Sequence, residues 1–168
     1  RRSPKGQSVA RSATSLLGKR SLYINNTQYR YDCSGFVMAA HAKSNIRIDG
    51  STKMLYEYAK DQNVFHRRKK PLVGDAVFFH NSYDRNKNGR RDDLLTHIGI
   101  VEAVQSNGDI TIVHLASKGI VRTYMNLYYP DMHKDQDGNL LNSFLRASSK
   151  GPRLTGELWA GFASLWKL

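Results

Sequence analysis

No acidic residue precedes Asp32, although Arg1, Arg2, Lys5, Arg11, Lys19, Arg20 and Arg30 all lie in that stretch. The imbalance holds over the whole chain, whose formal net charge is +12, and a second basic cluster runs Arg67-Arg68-Lys69-Lys70. Such a surface attracts polyanions, whether a wall polymer, an anionic lipid or a nucleic acid, and it also serves solubility. The basic runs carry no helix-turn-helix, zinc-finger or RNA-recognition signature, which argues against a nucleic acid partner. An anionic envelope polymer is the expected partner.

Cysteine is nearly missing as well: Cys33 stands alone. One cysteine excludes an internal disulfide framework and a multi-cysteine zinc site. A lone cysteine is commonly a small buried hydrophobe, so its neighbours have to decide its role. No apolar run is long enough to cross a membrane as a helix. Internal repeats, low-complexity tracts and Pro/Ser-rich linkers are also absent, so a single domain over residues 1–168 is expected, with a core near 7–125 and a C-terminal extension over 126–168. The chain opens on Arg1-Arg2-Ser3-Pro4-Lys5, with neither Met nor an apolar signal region, and reads as a mature or trimmed form.

What is present is a change of periodicity. From Gln7 to Leu17 the apolar residues Val9, Ala10, Ala13, Leu16 and Leu17 recur at helical spacing, and Gly18 follows as a stop. Leu22 to Tyr31, with Asn25-Asn26, reads as loop. Polar residues at Asp32 to Gly35 lead into the apolar run Phe36 to Ala42, a buried helix with Cys33 at its start. Thr52 to Lys60 predicts a further short helix. Afterwards the pattern shortens: Asp75 to Phe79, His97 to Val104, Asp109 to Leu115 and Ile120 to Met125 are β-branched or aromatic, and Asn107-Gly108 marks a hairpin. Helices first and an antiparallel meander afterwards make an α+β fold. Glu157 to Leu168 fits either a closing strand or a docked helix.

A thiol attacks as its thiolate, and a helix N-terminus favours that anion. Cys33 opens a helix, and His97 and His114 lie on strands that an antiparallel sheet can set side by side. One imidazole then serves as base to the thiol, and the second orients the first. The same helix start offers the backbone N–H groups of Cys33 and Ser34 to an oxyanion. The small Ser34-Gly35 pair is expected to leave room for substrate.

The motifs extend this reading. Asp32-Cys33-Ser34-Gly35-Phe36-Val37 resembles the D-C-S-G-[LF]-V signature of NlpC/P60 cysteine peptidases, and Gly74 to Phe79 is similar to that family's G-D-L-V-F-F strand. Thr96 to Val101 resembles its H-V-G-I-Y strand, Val113 to Ser117 its I-H-A segment, and Gly119-Ile120-Val121 the G-V that follows. The resemblance covers roughly Val9 to Met125. It implies a papain-like fold, with the nucleophile at the start of a helix packed on the sheet. It also implies hydrolysis of amide bonds in peptidoglycan stem peptides, often beside D-glutamate and a diamino acid. Cys33, His97 and His114 take the roles of nucleophile, base and orienting residue; Asp32, Ser34 and Tyr23 are expected at the oxyanion and substrate sites. Tyr23 comes later in the chain than the family's G-x-x-Y tyrosine. Residues 142–146 fall outside the motifs and are a candidate for shaping specificity. An amidase, an acyltransferase or antibacterial effector on the same scaffold, and a non-catalytic wall-binding module are the alternatives. The expected location is the periplasm, the cell envelope or outside the cell.

One further motif stands before His97. Asp84, Asn86, Asn88, Arg90 and Asp92 follow the start of an EF-hand-type loop, with Gly89 at position six, which makes a structural calcium ion a candidate. Leu95 holds position twelve, where a bidentate Glu is usual, and the nearby cations oppose binding. A plain polar hairpin insertion is the other reading. The chemistry itself requires no cofactor.

Overall fold

The computed structural model describes residues 3–83, 85–148 and 150–168. Helix α1 (Pro4–Ser15) begins before the expected Gln7, because Pro4 occupies its first turn, where a missing N–H costs nothing. It buries Val9, Ala10 and Ala13. The expected loop after it is a hairpin instead: β1 (Leu22–Ile24) pairs with β2 (Thr27–Tyr29). Asn25 and Asn26 close it with φ of 51° and 64°, the paired left-handed conformation of a tight hairpin turn, which asparagine tolerates. Helix α2 (Cys33–Lys43) is buried along most of its length, and α3 (Thr52–Asp61) is capped by the Ser51 side chain, which accepts from the Met54 N–H.

The main sheet has six antiparallel strands in the order β3-β8-β4-β5-β6-β7. They are β3 (Phe65–His66), β4 (Ala76–Phe79), β5 (His97–Val104), β6 (Asp109–Ala116), β7 (Gly119–Asn126) and β8 (Trp159–Ala163). The C-terminal segment therefore supplies a strand that lies between β3 and β4, preceded by the short helix α4 (Thr155–Leu158) and followed by a 3-10 turn at Leu165–Lys167. The expected extension thus completes the sheet, and of the two readings of the tail the strand is the one observed.

Alternation along β4 explains why both faces of the sheet are dry. Phe78 and Ala76 face a core shared with α1, α2 and α3, which includes Val9, Phe36, Val37 and Leu55. Val77 and Phe79 face a second core with Val101, Ile112, Met125, Leu127, Leu158 and Phe162, much of it drawn from beyond residue 125. Asp75, fully buried, ties these layers together: its carboxylate meets Nε2 of His66 at 2.9 Å and accepts from the Ser164 hydroxyl at 2.6 Å and from the Leu72 N–H at 3.0 Å. Its place in the Gly-Asp motif is that of a buried hub with paired oxygens. The arrangement is the expected α+β one, with Cys33 at a helix start against an antiparallel sheet.

Candidate active site

Cys33 is the first residue of α2, and Asp32 is its cap. The Asp32 carboxylate accepts the Gly35 N–H at 2.7 Å, and its carbonyl accepts the Phe36 N–H at 2.9 Å. That leaves the N–H groups of Cys33 and Ser34 without a hydrogen-bond partner among the described residues. These are the donors a helix start presents to an anion. The Ser34 hydroxyl meets Asp32 at 3.3 Å and accepts from the Arg30 guanidinium at 3.1 Å. Asp32 and Ser34 therefore use their side chains to fix the helix start, and only the Ser34 N–H remains to face a ligand. Gly35 has a different reason from the expected one: a Cβ there would run into the carbonyl oxygen of Arg30. It lets the preceding chain pass close to the helix, rather than making room for substrate.

The two histidines meet through a vacancy in the sheet. Ile100 pairs with Val113, so one step back Gly99 stands opposite His114, and His97 lies diagonally across on the same face. A Cβ on Gly99 would come within 2.8 Å of Ile112 and 3.2 Å of the His114 Cβ, so glycine there allows β5 and β6 to close up. His97 Nε2 then lies 2.7 Å from His114 Nδ1, with the rings at 79° to one another. One ring donates and the other accepts. Nδ1 of His97 has no hydrogen-bond partner among the described residues.

Both imidazoles are nearly buried, and burial sets their charge. It pushes His97 down to about 3, with the neighbouring His114 adding to the effect, and pushes His114 down to about 4. Near neutral pH both rings are uncharged, so one nitrogen of each can accept a proton.

Cys33 and His97 line one cleft of about 600 Å³, together with Tyr31, Asp32, Ser82, Tyr83, Thr96, Ala116, Ser117 and Arg146. The Cys33 Sγ also lies 3.7 Å from the Thr52 hydroxyl at the start of α3. Tyr23 is not a lining residue. It sits on β1 opposite Gln28 and is 60% exposed, because the tight Asn25-Asn26 turn places it on the outer side of the hairpin. The tyrosines at the cleft are Tyr83 and Tyr31; Tyr31 stands two residues before Cys33, and its hydroxyl donates to the Lys19 carbonyl at 2.6 Å. Sequence reasoning missed Tyr31 and Thr52 and reached Arg146 only as the end of the 142–146 stretch expected to shape specificity; adjacency to Cys33 was a signal for Tyr31, and nothing local marked Thr52. A larger groove of about 980 Å³ lies elsewhere, between α1 and residues 68–73, with Arg11, Arg68 and Lys70 in its lining and neither cysteine nor histidine.

Of the expected calcium ligands, Asp84 lies outside the described residues. Asn88 donates to the Asp92 carboxylate at 2.9 Å and Asn86 donates to it at 3.3 Å, while their side-chain oxygens accept backbone N–H groups of Arg90 and Asn88. Arg90 turns its backbone into this network. Asp93 is buried and accepts the Arg85 N–H, and Leu95 is also buried. Among the described residues no group of three or more His, Cys, Asp or Glu side chains is placed to hold a metal ion. Here the loop is closed by its own hydrogen bonds.

The family model described as CHAP domain matches residues 23–115, from β1 to β6 and across Cys33, His97 and His114. No curated protein matches the chain.

Proposed function

The chain belongs to the CHAP domain family, papain-like cysteine peptidases and amidases of cell-wall hydrolases, and on that premise we propose that it cleaves amide bonds in peptidoglycan stem peptides through Cys33, His97 and His114. CHAP and NlpC/P60 are related, which is why the Cys and His motifs read as they do. The observation that carries the proposal is the His97–His114 contact at 2.7 Å beside a cleft that Cys33 and His97 share.

In this reading His97 donates from Nε2 to His114 Nδ1 and takes the Cys33 proton on Nδ1. The thiolate attacks the scissile carbonyl carbon, and the developing oxyanion accepts from the N–H groups of Cys33 and Ser34. His97 returns its proton to the leaving amine, and an acyl-enzyme remains. Water, deprotonated by the same imidazole, releases the product. His114 holds the His97 ring and accepts its hydrogen bond throughout the cycle. The basic surface serves the approach to an anionic wall polymer, and a site of action in the periplasm, the envelope or outside the cell accords with that reading.

The test is a zymogram on purified cell wall with Cys33→Ala as control. Clearing by the wild type and none by the variant supports hydrolysis. Equal wall binding with no clearing by either would sink it in favour of a binding module. Mass spectrometry of the released fragments identifies the bond.

A further inference from the structure

One wall of the cleft shared by Cys33 and His97 is built from two loops. One follows β4 and supplies Ser82 and Tyr83; the other is a strap, described over residues 143–148 and 150–154, that lies beyond the matched region and supplies Leu145, Arg146 and Ala147. They are cross-tied: the Arg91 guanidinium donates to the carbonyls of Lys150 and Pro152, and Nη1 of Arg146 donates to the Asn81 carbonyl at 2.8 Å. Asn81 is itself fixed, because its N–H donates to the Asp93 carbonyl at 2.7 Å and its side-chain oxygen accepts the Asp93 N–H at 2.9 Å. Arg146 is half-buried, lines the cleft, and has no carboxylate partner among the described residues. It is the only cation among the cleft's described lining residues, His97 being uncharged, and the cleft's one carboxylate, Asp32, already pairs with Arg30 at 3.1 Å.

A half-buried guanidinium held by one nitrogen, with its remaining N–H groups directed by no partner, is suited to a planar anion. We propose that Arg146 is a specificity-determining residue that binds a free carboxylate of the stem peptide beside the scissile bond, so that the protein prefers a carboxylate there over a carboxamide. The inference rests on the proposed hydrolysis for the identity of the ligand; the cleft's unmatched charge is independent of it.

The experiment uses two synthetic stem peptides that differ only in a free α-carboxylate or a carboxamide on the γ-linked D-glutamyl residue. Binding is measured on Cys33→Ala protein with Arg146, Arg146→Gln or Arg146→Lys, and KM and kcat are measured on the corresponding proteins with Cys33 intact. A charge-assisted contact of this kind sets a preference of about tenfold or more for the carboxylate. Arg146→Gln is expected to abolish that preference by weakening the carboxylate peptide alone, with the effect in KM, and Arg146→Lys to retain part of it. Equal binding of the two peptides to the Arg146 protein overturns the proposal. So does an equal loss for both peptides in either variant, which would make Arg146 a structural tie to Asn81. A preference in binding with no turnover by any protein upholds the carboxylate site while overturning the hydrolytic reading, so the two failures are distinguishable.

Discussion

His114 offers the sharpest residue-scale test, because it touches His97 and is not among the residues lining the cleft. Removing its ring frees the His97 imidazole to rotate and deletes the acceptor for its Nε2 proton. His114→Ala is expected to lower kcat by about a hundredfold or more. His114→Asn, which keeps an acceptor oxygen, is expected to recover part of it. A second consequence concerns pH. With His97 and His114 held below the ordinary histidine value of 6.5, neither ring charges on mild acidification. The acid limb of kcat/KM, measured on soluble wall fragments, should therefore lie below pH 6.5. A limb at or above that value would mean that His97 titrates as an exposed imidazole and that the base has been misassigned.

At the scale of elements, the loop between β4 and β5 is held to the strap through Arg146 and Arg91 and leads directly into His97 at the start of β5. Its rigidity bears on the position of His97. The EF-hand-like spacing leaves calcium as a proposed brace, with Asp92 as its principal described carboxylate. In favour stands the gathering of the Asn86 and Asn88 side chains on Asp92, which brings three oxygen-bearing groups of the motif together. The expected outcome is a rise in melting temperature on adding calcium to EGTA-treated protein, lost in Asp92→Asn. Superimposable curves for the wild type with and without calcium would leave the hydrogen bonds as the only brace.

Across the whole molecule, the buried histidines act together on stability. His41 is fully buried in α2; its Nδ1 donates to the Val37 carbonyl at 2.8 Å and its Nε2 has no partner among the described residues. Burial pushes it down to about 4. An unfolded chain takes up this proton near 6.5, whereas the folded protein resists until about 4, so the unfolded state binds more protons between those values. Stability is therefore complete above about 6.5 and is lost as pH falls toward 4, on the order of 3 kcal/mol for His41 alone. His97 and His114 add in the same direction. Thermal denaturation from pH 7 to 4.5 should show a falling midpoint, with a shallower fall in His41→Leu. A parallel fall in both proteins would assign the acid sensitivity to other groups.

The sequence by itself determined the parts whose cause is local. Cys33 at a helix start follows from Asp32 and the apolar run after it, and the β5–β6 hairpin follows from Asn107-Gly108, because caps and turns are decided within a few residues. The histidine pair was legible only through its strands; their contact required the register that sets Gly99 opposite His114. Tertiary structure alone decided the rest. Strand β8 joins the sheet between β3 and β4, far from both in sequence, since its register is set by two apolar faces rather than by its own short run. The same long-range packing brings Arg146 to the cleft and turns Tyr23 away from it. Cys33 and its helix start were written locally, whereas the cleft wall that carries Arg146 exists only once distant segments close.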